Sequence, residues 1–284
     1  MNSELIDHAF GEATAQGRIA LLGYLPAAWP SESGFRECVE AAFLAGLDIL
    51  EVGLPAEDPF MDGDVIRKAV ASVRRRGVSV ASALESIIHP EEGTDCCGSN
   101  GGSPARVESR AIIAMMYLSS YIELGRADVP RRLAALGYAG LLVVGTDTDT
   151  WLEYTPAARS AGVASIGFAG AEAGADGVEA LAHDAGGFIY LPSYEGKTGR
   201  SANFDSTLGM RIDLVKRSAR GLPVAVGFAV NTPADVRALA GLGADGAIVG
   251  TSLVRAANDP DRLSKYVASL RAATQRDGNG KGSA

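Results

Sequence analysis

Two carboxylates lie close together in the sequence, one in a strand-like run and one in the loop that follows it. Glu51 falls near the end of the apolar run 47–52, and Asp62 lies in an acidic, proline-bearing loop. A Glu inside a buried strand needs a partner or a catalytic role, because burying an unpaired charge costs free energy. Two carboxylates in unlike surroundings can divide acid and base roles. The pair therefore predicts an acid/base site.

The same residues also permit a structural interpretation. Glu51 could be a satisfied member of an ion pair, and Asp58 or Asp62 could be a turn or cap residue before the helix predicted at 65–75. The position of Glu51 at a strand end favours catalysis in a barrel of parallel strands, because the loops there form the active face. The carboxylates alone leave both interpretations open.

Eight short apolar runs alternate with helical patterns along the chain. The predicted strands are 19–25, 47–52, 111–117, 140–144, 163–167, 188–191, 224–227 and 247–250, and the predicted helices are 35–45, 65–75, 129–136, 151–161, 177–183, 208–219, 234–242 and 260–273. Such alternation indicates a parallel sheet, and eight units favour closure into a barrel. An open sheet would need a dinucleotide fingerprint, and no GxGxxG follows the first strand.

The predicted fold is therefore α/β: a single (β/α)8 TIM barrel with an N-terminal helix and a Gly/Ser-rich insertion before the third strand. The 284 residues, 47% of them hydrophobic, suit one such domain, for which about 250 residues are typical. We expect the barrel domain to span residues 1–274. Within it, residues 93–104 are predicted to form a flexible loop, and the polar residues 275–284 a disordered tail.

Composition argues against several classes of protein. The net charge of -8 and the absence of a long basic run argue against nucleic-acid binding. The chain has no N-terminal basic segment followed by an apolar core and no apolar stretch of about 18 residues, so neither secretion nor membrane insertion is predicted. Cys38 and the adjacent pair Cys96-Cys97 provide neither a disulfide framework nor zinc spacing. A cytoplasmic enzyme without a metal is expected.

Three glycine-bearing loops follow predicted strands at the same face of the barrel. They are residues 227–229, 250–252 and 196–200. In such barrels the loops after strands seven and eight commonly bind phosphate, because backbone N–H groups and a helix dipole favour an anion there. A turn explains each glycine pair on its own, but three such loops at one face predict a phosphate site.

Several segments resemble the tryptophan synthase α subunit family in order and spacing. They read EVGLPAEDPFMDG at 51–63, GFIYLPSYEGKTG at 187–199, PVAVGF at 223–228 and GAIVGTS at 246–252, and GYLPA at 23–27 is similar too. The resemblance covers roughly residues 15–258, and its most specific parts are the Glu51 segment and the loop 196–199.

The resemblance implies a lyase of tryptophan biosynthesis that cleaves indole-3-glycerol phosphate to indole and glyceraldehyde 3-phosphate, without cofactor or metal. Glu51 matches the catalytic Glu of the family, which would transfer protons at indole C3 and at the adjacent hydroxyl. Asp62 matches the second carboxylate, which would bind the indole N–H and stabilise the indolenine. Tyr190 matches a position near the substrate and is included with the catalytic residues.

The resemblance also suggests which residues bind the substrate. This set comprises Tyr24 and Leu118 for the indole wall, Thr198 and Gly199 for the loop, and Gly227, Phe228, Ala229, Gly250 and Thr251 for the phosphate. Ala229 stands where a second Gly is usual, so its methyl group is expected to be tolerated only with a negative φ. Lys197 replaces an apolar residue of the loop.

Other departures concern the face toward the β subunit in the family. Residues 117–120 replace a Tyr-x-Asn-Pro-like segment, residues 144–149 replace a Pro-Asp-Leu segment, and Ala56, Glu57 and Asp64 are also unusual. The implied partners are a phosphorylated indole substrate and a β subunit, with a weak or absent complex with the latter.

Two alternatives to this function stay open at the level of sequence. One is a lyase or aldolase of the same fold that acts on a related phosphorylated substrate, such as a substituted indole of a specialised pathway. The other is a non-catalytic barrel that modulates a partner. The intact pair of Glu51 and Asp62 argues against a non-catalytic barrel, because a retired site has no physical reason to keep a costly acid in a buried strand.

Overall fold

The computed structural model describes residues 1–86, 110–170, 172–193 and 204–276. All the strands in these parts belong to one parallel sheet, in the order β5-β4-β3-β2-β1-β9-β8-β7-β6. The strands are β1 (Ala20–Pro26), β2 (Ile49–Gly53), β3 (Ala111–Tyr117), β4 (Gly140–Val144), β5 (Ala164–Ser165), β6 (Gly167–Phe168), β7 (Ile189–Pro192), β8 (Val224–Gly227) and β9 (Gly246–Val249).

The sheet closes at a strand that is split in two. The single strand predicted at 163–167 is β5 and β6, which pair with β4 and β7 respectively and are separated by Ile166 alone. The N–H of Ile166 still donates to the Leu141 carbonyl of β4 at 2.9 Å. The chain therefore joins the two ends of the sheet itself. The TIM-barrel prediction is confirmed, with the fifth strand divided because it changes neighbour after two residues.

Helices surround the barrel. They are α1 (Glu4–Ala15), α2 (Glu32–Leu44), α3 (Asp64–Arg75), α4 (Val80–Glu85), α5 (Leu118–Glu123), α6 (Val129–Ala135), α7 (Thr148–Ala161), α8 (Ala175–Asp184), α9 (Ser206–Ser218), α10 (Pro233–Gly241), α11 (Thr251–Ala256) and α12 (Pro260–Ala272). The predicted helices fall on these elements with boundary shifts of a few residues, as is usual at frayed ends. The N-terminal helix of the prediction is α1.

Packing follows the sequence pattern. Every residue of β1 and β3 is buried, as expected for parallel strands covered on both faces. Helix α3 buries Ile66, Ala69, Val70 and Val73, a helical spacing that turns its basic residues outward. The strands and the inner faces of the helices thus form one continuous core.

Asp48 lies in the same predicted run as Glu51 but has a structural role. Arg18 donates to both carboxylate oxygens of Asp48, at 2.7 and 2.9 Å, and Asp48 also accepts the N–H of Leu21 at 2.8 Å. This ion pair lies at the N-terminal ends of the strands, where the residues of such barrels usually stabilise the fold and do not take part in catalysis. Glu51, three residues later, lies toward the opposite face.

Part of the predicted tail is ordered. Gln275 forms an antiparallel bridge with Arg18, and the N–H of Arg276 donates to the Gly17 carbonyl at 3.0 Å. Residues 275 and 276 are exposed but have hydrogen-bond partners, among them the Ala244 carbonyl and Asp245 for Arg276, and the disordered tail stays a prediction for the residues beyond them. Residues 277–284 and the predicted loop 93–104, with Cys96 and Cys97, lie outside the described residues. No helix in the described ranges is long and apolar enough to span a membrane.

Candidate active site

Glu51 is the middle residue of β2, in register with Tyr24 of β1 and Ile113 of β3. Its side chain is only 2% exposed, and within the described part of the chain Oε1 has no hydrogen-bond partner. Burial raises the pKa of this carboxyl group to about 8. The group is therefore mainly protonated near neutral pH and can donate a proton. This environment does not support the ion-pair interpretation of Glu51.

Asp62 lies in the loop between β2 and α3 and is 4% exposed. Burial raises its pKa to about 6, whereas the hydrogen bond from Tyr117 and the charge of Arg67 oppose the rise. The Tyr117 hydroxyl donates to Oδ2 at 3.0 Å. Asp62 is therefore mainly ionised near neutral pH, unlike Glu51. The cap residue of α3 is Gly63, so Asp62 does not serve as the helix cap.

The loop that carries Asp62 is anchored by the segment after β3. The Ser120 hydroxyl donates to the Pro55 carbonyl at 2.9 Å, and the Leu54 N–H donates to the Met115 carbonyl at 2.8 Å. The Phe60 ring packs edge-on against Tyr117 with a centroid distance of 5.1 Å. Tyr117 and Ser120 both belong to the segment 117–120. That segment therefore holds the acidic loop in place.

Two glycines make room for the two buried tyrosines. A Cβ atom on Gly53 would lie 2.1 Å from the Tyr24 hydroxyl, and one on Gly227 would lie 2.1 Å from the Tyr190 hydroxyl. Each ring therefore leans against the neighbouring strand, which only glycine permits. Gly227 is not among the residues that line the cavity. Its assignment to phosphate binding gains no support, since space for Tyr190 explains the glycine.

One cavity at the C-terminal ends of the strands joins the two carboxylates to an apolar wall and to the loops after β8 and β9. Its lining residues are Tyr24, Glu51, Met61, Asp62, Ile66, Met115, Leu142, Val144, Phe168, Tyr190, Phe228, Ala229, Val230, Asn231, Ile248, Gly250 and Thr251. Most of these side chains are apolar, so the cavity fits a flat apolar ring beside groups that transfer protons.

Most of the predicted site residues meet in this cavity. Glu51, Asp62, Tyr190, Tyr24, Phe228, Ala229, Gly250 and Thr251 all line it, and Thr198 and Gly199 lie outside the described residues, as do Gly196 and Lys197. Leu118 does not line it. Because β3 ends at Tyr117 and α5 begins at once, Leu118 starts a helix and packs, partly buried, against the core.

The sequence prediction missed several lining residues. They are Met61, Ile66, Met115, Leu142, Val144, Phe168, Val230, Asn231 and Ile248. For some of them the alternation of side chains along a strand is a usable signal, because alternate residues point to the same face. Met115 of β3 and Leu142 of β4 are an example, as they are in register with each other. No comparable signal exists for Asn231, whose place depends on loop geometry.

The loop after β8 contains two residues with left-handed backbone. Phe228 has a φ of 70° and Ala229 a φ of 57°. The expectation of a negative φ at Ala229 was wrong. A left-handed conformation costs a residue with a Cβ atom about 1–2 kcal/mol. Hydrogen bonds hold it here: the Ser193 hydroxyl donates to the Phe228 carbonyl at 2.6 Å, and Asn231 Nδ2 donates to the Ala229 carbonyl at 2.8 Å.

Comparison with known proteins identifies relatives of one kind. The family model described as tryptophan synthase alpha chain matches residues 10–279. The tryptophan synthase alpha chain of Streptomyces coelicolor is 33% identical over 89% of this chain and 88% of its own length. That of Halorhodospira halophila is 33% identical over 94% of this chain and 95% of its own length.

Solved structures agree with these relatives. A chain of Mycobacterium tuberculosis tryptophan synthase is 28% identical and superposes with a TM-score of 0.79, over 95% of this chain and 98% of its own. The tryptophan synthase alpha chain of Legionella pneumophila, at 21% identity, shares the fold with a TM-score of 0.80, over 97% of this chain and 98% of its own. These relatives favour neither of the two alternatives considered above.

Proposed function

Because this chain belongs to the tryptophan synthase alpha chain family, a family of lyases in tryptophan biosynthesis, we propose that it cleaves indole-3-glycerol phosphate to indole and glyceraldehyde 3-phosphate. The observation that carries the proposal is the pair of unlike carboxylates in one apolar cavity. Burial raises the pKa of Glu51 to about 8, whereas that of Asp62 is about 6. Near neutral pH, Glu51 is thus available as a protonated acid and Asp62 as an ionised carboxylate in the same cavity.

The proposed reaction uses Glu51 twice. Its protonated carboxyl group donates a proton to indole C3, which makes the ring an electron acceptor. The resulting carboxylate then removes the proton from the side-chain hydroxyl next to C3. The electrons of that O–H bond form the aldehyde C=O, the C–C bond breaks, and its electrons restore the aromatic ring. Glu51 ends protonated, so one group acts as general acid and then as general base.

Asp62 stabilises the intermediate in this scheme. Protonation at C3 places a positive charge on the indolenine nitrogen, and an ionised carboxylate that accepts its N–H lowers the energy of that charge. The Tyr117 hydroxyl bound to Oδ2 favours the ionised form of Asp62, because its hydrogen bond opposes the rise in pKa. The two carboxylates keep separate roles because their surroundings keep their pKa values apart.

The remaining lining residues fit the two other parts of the substrate. We assign the indole ring to the apolar wall that includes Tyr24 and Tyr190, both of them 6% exposed. We assign the phosphate to the backbone of Phe228, Ala229, Gly250 and Thr251. The roles of Thr198 and Gly199 rest on the resemblance alone, because both lie outside the described residues. Thr251 begins α11, so its N–H and that of the following residue carry no bond within the helix.

The direct test is to incubate the purified full chain with indole-3-glycerol phosphate and to follow indole release. We expect release without added metal or cofactor. The assay is run with and without a tryptophan synthase β subunit. Absence of indole in both conditions would refute the proposed reaction, and substituted indole-glycerol phosphates tested in parallel would show whether a related substrate is preferred.

Association with a β subunit is a separate question. Members of the family normally pair with one. The resemblance implies that the segments 117–120 and 144–149 lie on the face toward the β subunit and that both depart from the usual family sequence. The Ser120 hydroxyl is bonded within the chain. We expect a weak complex, or none, with the β subunit of a relative when the mixture is examined by sedimentation velocity. A tight α2β2 assembly would contradict this expectation.

A further inference from the structure

One side chain, that of Asn231, joins the two loops that follow β8 and β9. Its Nδ2 donates to the Ala229 carbonyl at 2.8 Å, and its Oδ1 accepts from the Ser252 hydroxyl at 2.6 Å. The orientation of the amide follows from these partners, because a backbone carbonyl can only accept a hydrogen bond. Asn231 therefore links the loop after β8 to helix α11.

The backbone of Asn231 is fixed as well. Its N–H donates to Asp235 Oδ2 at 2.8 Å, and its carbonyl accepts from the Tyr266 hydroxyl of α12 at 2.6 Å. Asp235 also forms the capping box of α10 with Thr232. The side chain thus extends from an anchored main chain, and each polar group of Asn231 has a partner. Such a residue can hold the two loops at a defined distance from each other.

The two joined loops follow neighbouring strands and form adjoining parts of the candidate cavity. Ala229 and Val230 line it from the loop after β8, and Gly250 and Thr251 line it from the loop after β9. The bond from Asn231 also fixes the carbonyl of Ala229, whose left-handed backbone is unfavourable for an alanine. Without that bond, the loop would be free to relax toward a less strained backbone, and its N–H groups would turn.

We propose that Asn231 and Ser252 are positioning residues that set the spacing of these two loops around the phosphate of the substrate. The inference rests on the proposed function, in which the phosphate binds at these loops. The bond between the two side chains holds the backbone N–H groups in place before the anion arrives. Binding then requires little rearrangement, which improves affinity for the phosphate without any contact from Ser252 to the indole.

The test measures the binding of two fragments of the substrate to the full chain by isothermal titration calorimetry. Glycerol 3-phosphate probes the loops, and indole probes the apolar wall. Ser252→Ala is expected to raise the Kd for glycerol 3-phosphate about fivefold, and Asn231→Ala about tenfold because it also frees the Ala229 carbonyl. The Kd for indole is expected to stay within about twofold in both variants, because the ring is assigned to the wall that includes Tyr24 and Tyr190 and not to Asn231 or Ser252.

Two further variants separate positioning from general damage to the fold. Tyr266→Phe removes the hydrogen bonds of the Tyr266 hydroxyl to the Asn231 carbonyl and to Ser252 but leaves the bond from Ser252 to the Asn231 side chain, so we expect a change of less than about twofold in the Kd for glycerol 3-phosphate. Ser252→Thr keeps the hydroxyl group and is expected to retain wild-type affinity. In the cleavage assay, Ser252→Ala is expected to raise KM with kcat nearly unchanged.

The outcomes also distinguish this inference from the proposed reaction. Equal weakening of both fragments, no weakening of glycerol 3-phosphate, or no binding of glycerol 3-phosphate by the wild type would each overturn the positioning role. If the wild type binds glycerol 3-phosphate and responds to the variants as stated but releases no indole, the proposed reaction fails and the positioning role stands.

Discussion

Glu51→Gln is expected to lower kcat for cleavage of indole-3-glycerol phosphate by about 10²–10⁴-fold, the usual contribution of a positioned acid or base. The amide has nearly the same shape as the buried carboxyl group, but it can neither donate a proton to C3 nor take one from the hydroxyl. Steady-state indole release measures the effect. Glu57→Gln is the matched control, because Glu57 is exposed in the same segment and does not line the cavity.

The same substitution is expected to stabilise the fold at alkaline pH. The folded pKa of Glu51, about 8, lies above the ordinary value of 4.5. A raised pKa contributes stability that is fully present below the unfolded pKa and is lost as the pH rises through the folded one. Between about pH 6 and about pH 9 the wild type should therefore lose roughly 2–3 kcal/mol more of its unfolding free energy than the variant.

Urea unfolding at these two pH values measures the difference. Glu51→Gln should lower kcat but raise the free energy of unfolding at alkaline pH. Such a trade-off is expected when a functional group that destabilises the fold is removed. If the wild type and the variant show the same pH dependence of stability, Glu51 is not the buried, neutral acid that the mechanism requires. A fully active variant would remove Glu51 from the mechanism altogether.

Asp62→Asn is expected to lower kcat/KM by about 10²–10³-fold, through loss of the charge that stabilises the indolenine. The pH profile should change in a defined way. Active wild-type enzyme requires ionised Asp62 and protonated Glu51, so kcat/KM should rise through about pH 6 and fall through about pH 8. In Asp62→Asn the acidic limb should disappear, and the alkaline limb should remain.

Asp64→Asn provides the control for this experiment. Asp64 is exposed two residues from Asp62, and its replacement makes the same change of charge without touching the cavity. We expect its profile to match the wild type. An acidic limb that persists in Asp62→Asn would show that another group controls it, and Asp62 would then have a binding role only.

Much of the fold and the pair of buried carboxylates could be predicted from the sequence, because both depend on local patterns. Strand and helix periodicity give the barrel, and the strand end at Glu51 with its acidic loop gives the pair of carboxylates. The sequence indicated that Glu51 and Asp62 lie in unlike surroundings and should have different pKa values. It did not show what causes the difference. The hydrogen bond from Tyr117, 55 residues along the chain from Asp62, becomes visible only in three dimensions.

Other features depend on the three-dimensional arrangement of helices and loops, which the sequence pattern does not show. Leu118 was expected at the indole wall, but the abrupt start of α5 removes it from the cavity. Gly227 was interpreted as a phosphate-binding glycine, although the ring of Tyr190 already requires a glycine there. Asn231 attracted no notice, since a polar residue in a loop is unremarkable until its partners on α11 and α12 are known.

The division of the fifth strand has a consequence for motion. Strand β2, which carries Glu51, is paired along its whole length on both sides, whereas β5 and β6 each pair with one neighbour over two residues. Few buried ladder bonds mean a low free energy of local opening, so we expect backbone amides around Ile166 to exchange with deuterium faster than those of β2. Phe168, two residues after Ile166 in β6, packs on Tyr190 and lines the cavity. We therefore expect the apolar wall near Phe168 to be more mobile than β2, which carries Glu51.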